Sequence, residues 1–182
     1  MIKQSTQSGF ALILSLIVSS VALAIGLSLL DITIKQLTLG STTRESEVAF
    51  QTAAAGMNCL QYARNQQPTV SQTNNASFQI NCLGVTMDFT DSDAATSWRQ
   101  VFSGQVDWTV ATGKDVCIEY DMVVIDATGG QRTYTLSSTG QTKTCQSGDI
   151  CTYALSRGHN LDCSTINGAS VFAVQRELTA EF

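Results

Sequence analysis

From Phe10 to Leu30 the chain reads FALILSLIVSSVALAIGLSLL, and the first charge after it is Asp31. At about 1.5 Å per residue, a helix of about 21 residues spans the roughly 30 Å hydrocarbon core of a bilayer, so the length is right for a membrane crossing. A helix apolar all round has no face to offer water. Two fates follow from the residues alone. Ala22-Leu23-Ala24 offers a small-residue cleavage site of the secretory kind, which leaves a mature chain starting at Ile25. An uncleaved anchor instead keeps the helix. Lys3 is the only charge ahead of it, a weak positive-inside signal that places the N-terminus in the cytoplasm and everything past Asp31 outside.

The helical pattern does not stop at the membrane boundary. No proline occurs from Phe10 to Arg64, and Ala49, Ala53, Met57 and Leu60 recur at steps of three and four, the apolar stripe of an amphipathic helix. One helix of about 55 residues, about 80 Å long, is predicted. Gly26 and Gly40 are its weak points, where it is expected to bend. Pro68, in RNQQPTVSQTNN, marks its end and a loop.

Beyond that loop the apolar period changes to two. SFQINCLGVTMDF predicts two short strands about Leu83-Gly84, and VCIEYDMVVIDATGGQRTYTLSS two longer ones about Thr128-Gly129-Gly130. Val116, Ile118, Tyr120, Met122 and Val124 share one face, with Cys117, Glu119 and Asp121 on the other. In the closing SVFAVQRELTAEF, Phe172, Val174, Leu178, Ala180 and Phe182 alternate with Gln175, Glu177 and Glu181. Arg176 falls on the apolar side, where its stem can reach past the sheet edge. A sheet with one apolar face needs a cover, and the extramembrane half of the helix is the natural one.

Six cysteines, Cys59, Cys82, Cys117, Cys145, Cys151 and Cys163, all follow the apolar run. None is spaced as C-x-x-C and the chain has one histidine, His159, so disulfides in an oxidising compartment are expected rather than a zinc site. Six cysteines allow fifteen connectivities. Cys145 and Cys151 enclose only QSGDI, a Gly-containing loop able to join antiparallel strands, so a local bridge is easy there.

Chemistry-bearing motifs are sparse. His159 lies in a turn-like Arg-Gly-His-Asn run and reads as a solvated loop side chain. Neither a G-x-S-x-G elbow nor a phosphate-binding glycine loop occurs, and no catalytic residue, metal or cofactor is assigned. Asp88, Asp91 and Asp93 offer oxygens to calcium but lack the glycine and distal glutamate of an EF-hand; the plainer reading is an acidic flank for a short helix from Ala94 to Val101. Glu119, Asp121 and Asp126 read as a solvated strand face. Trp98 and Trp108 read as core anchors of a segment covering the sheet, and Asn75-Ala76-Ser77 as a sequon arising by chance. A net charge of −5 with scattered Lys and Arg gives no basic patch, so no nucleic acid is expected as a partner.

Two segments, QSGFALILSL and ESEVAFQTAAAGMNCLQYAR, carry a resemblance to type IV pilins and pseudopilins, specifically to PilX-type minor pilins. A short polar leader with a lysine, then Gly9, then Phe10 opening an apolar helix, resembles a class III leader. In that family a prepilin peptidase cuts after the glycine and the new terminus is methylated. The resemblance implies an α+β pilin fold, with a long N-terminal helix packed on an antiparallel sheet and stapled by disulfides. It divides the chain into a leader (1–9), a transmembrane half-helix (10–30), an extramembrane half-helix (31–66) and a globular sheet domain (67–182).

The same resemblance implies a Cys59–Cys82 staple from helix to first strand. With Cys145–Cys151 local, Cys117 is left for Cys163, a loop whose closure removes about 3 to 4 kcal/mol of unfolded-state entropy. SRGHN followed by VQRELTAEF is similar to the last two strands of minor pilins, whereas TKTCQSGDICTYA departs from the family as an extra cysteine-bridged hairpin. Family members usually carry a glutamate at the fifth mature position, paired with a neighbour's N-terminal amine. Here that position is Leu14, which implies a minor subunit initiating or capping a filament. The implied partners are other pilin subunits, the prepilin peptidase and an inner-membrane assembly platform, with the protein ending outside the cell in the pilus.

Overall fold

The structure, a computed structural model, describes residues 8–66, 77–93, 96–111, 113–137, 139–168 and 173–182. The expected leader residues 1–7, the Pro68 loop, the start of the Asn75 sequon and Phe172 lie outside the described residues. The chain divides into two compact units, residues 1–44 and 45–182.

In the first unit the described residues are helical throughout. They belong to α1 (Ser8–Gln66), which runs without interruption through Gly26 and Gly40. This helix is long and apolar enough to cross a membrane by length and composition.

The second unit is an α+β domain built on an antiparallel sheet. Along the chain follow β1 (Ser77–Cys82), β2 (Val85–Thr90), β3 (Arg99–Thr109), β4 (Asp115–Asp126), β5 (Arg132–Thr135), β6 (Thr142–Cys145), β7 (Ile150–His159), α2 (Cys163–Asn167) and β8 (Gln175–Glu181). Four strands form the central sheet in the order β3-β4-β7-β8, all antiparallel, while β1-β2 and β5-β6 are separate hairpins. Leu83 and Gly84 connect β1 to β2 with positive φ at both positions (59° and 79°), the backbone a two-residue primed turn requires.

One face of the sheet meets the last turns of α1. Ala49, Ala53, Met57 and Leu60 are all buried, as the stripe predicts, together with Thr52, Cys59 and Ala63. Opposite them lie Tyr120, Met122 and Val124 of β4, Phe102 of β3 and Ala154 of β7, with Ile80, Met87 and Phe89 of the β1-β2 hairpin closing the cluster. Phe78 and Phe89 stack with ring centroids 4.8 Å apart, and Phe102 meets both edge-on. Fully burying an apolar side chain of this size contributes about 1.5–3 kcal/mol, so this helix–sheet seam contributes substantially to the domain's stability.

Four expectations need correction. First, β4 and β5 do not form a hairpin: β4 lies between β3 and β7, and β5 pairs only with β6. Second, β6 and β7 are not partners in one hairpin, so the segment TKTCQSGDICTYA joins strands of different sheets. Third, the second face of the central sheet is not simply polar. Val123, Ile125 and Tyr153 on that face are buried with Ala127, Leu136 and Cys145, and Trp98, Val101 and Tyr134 pack against them. The β5-β6 hairpin covers this half. Fourth, no helix runs from Ala94 to Val101: Arg99–Val101 open β3, while Ala94 and Ala95 lie outside the described residues. Trp108 therefore sits within the sheet itself, and the segment between the two tryptophans is a strand rather than a cover.

Candidate functional site

The surface of residues 10–44 is the most unusual one the chain presents. All of these side chains are exposed, including Phe10 at 73% and Leu14 at 54%, while Gly9 lies in the first turns of the helix. Most of the hydroxyls inside the run are satisfied within it. Ser15, Ser19 and Ser20 hydroxyls donate to the carbonyls of Leu12, Leu16 and Ile17 at 2.8–3.0 Å, and Thr33 and Thr38 donate to those of Leu29 and Ile34. A hydroxyl that donates back to its own helix carries no unmet donor into an apolar medium. The first charges, Asp31 and Lys35, form an i,i+4 pair at 2.8 Å. By its length, apolar composition and internally bonded hydroxyls, this stretch could span a membrane.

In the second unit the six cysteines pair as Cys59–Cys82, Cys117–Cys163 and Cys145–Cys151, with Cα separations of 5.8, 4.7 and 5.8 Å. They tie α1 to β1, β4 to α2, and β6 to β7 respectively. Asp107 lies near both Cys117 and Cys163, but the two sulfurs are bonded to each other and supply no thiolate for a metal. The Asp107 carboxylate accepts instead from the Cys163 backbone N–H at 2.6 Å.

The three aspartates considered for calcium are each engaged by protein donors. Asp91 is buried and accepts from the backbone N–H groups of Asp93 and Val101, Asp93 pairs with Arg99, and Asp88 accepts from Gln79. Asp91 and Asp93 thus secure the entry to β3.

His159 does not behave as a solvated loop residue. It ends β7, is buried, and its Nε2 lies 3.1 Å from Glu119 Oε2 on β4, while its Nδ1 has no hydrogen-bond partner. Arg157, on the same sheet face, pairs with Glu177 at 2.8 Å and with Asp121 at 3.8 Å. Glu119 and Asp121 are therefore engaged across the strands, Glu119 by His159 and Asp121 by Arg157, rather than free solvated charges. The period-two register already put Glu119 on this face; that the face is partly roofed over was not readable from it. Arg176, expected to pass the sheet edge, reaches α1 and donates to Ser46 Oγ.

The short helix α2 was missed, although Asp162-Cys163-Ser164-Thr165 carries a capping signal. Asp162 is the N-cap, and the Ser164 and Thr165 hydroxyls and the Thr165 N–H donate to its carboxylate, holding it well below the usual carboxylate range. Also unforeseen is the junction of Glu45 on α1 with Lys114 and Asn160, whose nitrogens lie 2.7 and 3.0 Å from the same Glu45 oxygen. Against protein-family models, curated proteins and solved structures, the chain finds no match.

Proposed function

We propose that this protein is a minor pilin or pseudopilin, a structural subunit of a type IV pilus-like filament that initiates or caps assembly. One observation carries the reading: a charge-free helical surface, exposed over its whole girth, belongs to the same helix that supplies the core stripe of a disulfide-stapled α+β domain. Such a helix is stored in a bilayer and then transferred into a bundle of like helices. Both media are apolar, so the transfer exposes little apolar surface to water. Ser15, Ser19, Ser20, Ala22, Ala24 and Gly26 permit close approach of a neighbouring helix. The domain lies outside the inner membrane, where disulfides persist, and then in the extracellular fibre.

In this reading a prepilin peptidase cuts between Gly9 and Phe10. The partners are other subunits, met through the N-terminal helix, and the assembly platform. Leu14 replaces the carboxylate that registers a major subunit against its neighbour's amine, which confines the protein to a filament end.

Mass spectrometry of the mature N-terminus is the test. A methylated Phe10 is the expected result. Retention of Met1 makes the protein a plain single-pass anchor for an external binding domain, and a start at Ile25 makes it a secreted domain; either refutes the filament reading. In a Gly9→Val chain the leader should stay attached, because the side chain obstructs a backbone the peptidase must approach closely.

A further inference from the structure

Where β4 begins and β7 ends, three side chains from distant parts of the chain converge. Lys114 immediately precedes β4, Asn160 immediately follows β7, and Glu45 comes from α1. One oxygen, Glu45 Oε2, accepts from both Lys114 Nζ at 2.7 Å and Asn160 Nδ2 at 3.0 Å. Asn160 is 3% exposed, and its carbonyl Oδ1 accepts from the Val174 backbone N–H at 2.7 Å. The Asn160 main chain also donates to the Val174 carbonyl, at 3.2 Å, and the Lys114 carbonyl accepts from Val110 at 3.0 Å, so both reacting residues are held at the backbone. The Lys114 and Glu45 side chains are 38% and 34% exposed, so this pair is half-buried, with Asn160 beneath it.

These parts are those of an amide transfer: an amine, a carboxylate within hydrogen-bond reach of both the amine and the leaving nitrogen, and a fixed donor on the carbonyl oxygen. We propose that Lys114 and Asn160 become joined by an intramolecular amide bond, formed by the folded chain itself with Glu45 as the proton shuttle.

In the first step Glu45 takes a proton from the Lys114 ammonium. Nζ then attacks Asn160 Cγ, and the oxygen of the resulting tetrahedral centre keeps its hydrogen bond from Val174. Glu45 passes protons from the former amine to Nδ2, the Cγ–Nδ2 bond breaks, and the carbonyl re-forms. The two amide hydrogens of Asn160 and two of the three ammonium hydrogens of Lys114 leave with Nδ2 as ammonium. One hydrogen stays on the new amide, and Glu45 ends ionised as it began. No oxidant or co-reactant is needed, and proximity replaces the activation that a free amide and amine lack in water.

The bond would close a loop beside that of Cys117–Cys163, whose cysteines lie three positions further along at both ends. It would hold β4 to β7 under conditions that open the disulfide. The inference does not depend on the filament reading.

The test is intact mass and tryptic mapping of the purified full chain in detergent, after reduction and alkylation. The expected result is a chain lighter by one ammonia molecule, uncut at Lys114, with Lys114 and Asn160 recovered in one cross-linked species. Glu45→Gln and Lys114→Arg should restore the unlinked mass while retaining the near-ultraviolet signal of the folded domain. A wild-type chain of full mass with normal cleavage at Lys114 overturns the proposal, as does Asn160 converted to aspartate beside an unmodified lysine. Complete linkage in Glu45→Gln overturns the role of Glu45.

Discussion

Gly158, in β7, lies directly beneath α1, and placing a single methyl group there should cost more than any other one-atom change in the domain. A Cβ at this position would stand 2.2 Å from both the Ala49 carbonyl oxygen and the Ala53 nitrogen, and 2.8 Å from the Thr52 carbonyl carbon. All three are helix backbone, so no rotamer change relieves the overlap. Reaching an ordinary contact of 3.4 Å requires the helix to retreat by about 1.2 Å. That retreat pulls Ala49, Ala53 and Leu60, each fully buried, off the sheet. Overpacking costs about 1–3 kcal/mol, and a backbone overlap belongs at or above the upper end. Gly158→Ala should therefore destabilise by about 3 kcal/mol, a large share of the roughly 5–15 kcal/mol that holds a domain together. For a domain of this size the melting temperature should fall by about 10 °C. Near-ultraviolet circular dichroism of the full chain in detergent, reporting on Trp98 and Trp108, measures it. Gly129→Ala, where a Cβ meets nothing within 4 Å, is the control and should stay within about 0.5 kcal/mol of wild type. A Gly158→Ala protein as stable as the control would refute the close helix–sheet contact.

Three further outcomes are expected. Burial, followed by the nearby Asp88 charge, pushes the Tyr120 hydroxyl up to about 12, while its O–H donates to the Asp88 carbonyl at 2.6 Å. The folded state therefore favours the protonated phenol: its contribution is complete below the ordinary tyrosine value of about 10 and is lost as pH rises towards 12. Urea midpoints between pH 9 and 12 should fall less steeply in Tyr120→Phe, and equal slopes would rule this out. Replacing Cys145 and Cys151 together by serine should raise hydrogen exchange in the β5-β6 hairpin and leave the central sheet protected, because a hairpin of two four-residue strands is marginal once untethered; removing Cys117–Cys163 should cost the whole domain about 4 kcal/mol in a Lys114→Arg chain, and much less where Lys114 and Asn160 are joined, as urea midpoints of the two chains would show. On the proposed filament reading, in which Leu14 stands where a carboxylate would register the subunit, Leu14→Glu should raise the protein's ratio in sheared filaments by pairing with a neighbour's free amine; an unchanged ratio would shift the limit to the globular domain.

Much of this protein follows from short-range pattern. The charge-free run from Phe10 to Leu30, the stripe Ala49-Ala53-Met57-Leu60, the Leu83-Gly84 turn and the closely spaced Cys145 and Cys151 are local properties, because helix period, turn geometry and short loop closure depend only on neighbours along the chain. What sequence reasoning misplaced depended on competition between distant segments. The Thr128-Gly129-Gly130 turn is a sound hairpin signal, yet the open edge of β4 takes only one partner. The ten-residue β7 fills it over nine register pairs, where the four-residue β5 offers less than half as many. Once displaced, β5 and β6 fold over Val123 and Ile125 and bury half of a face that alternation alone marks as polar. The burial of His159 against Glu119, and the meeting of Glu45, Lys114 and Asn160, have the same origin. Each joins residues 40 or more positions apart, and only the packed sheet and helix bring them within hydrogen-bond reach.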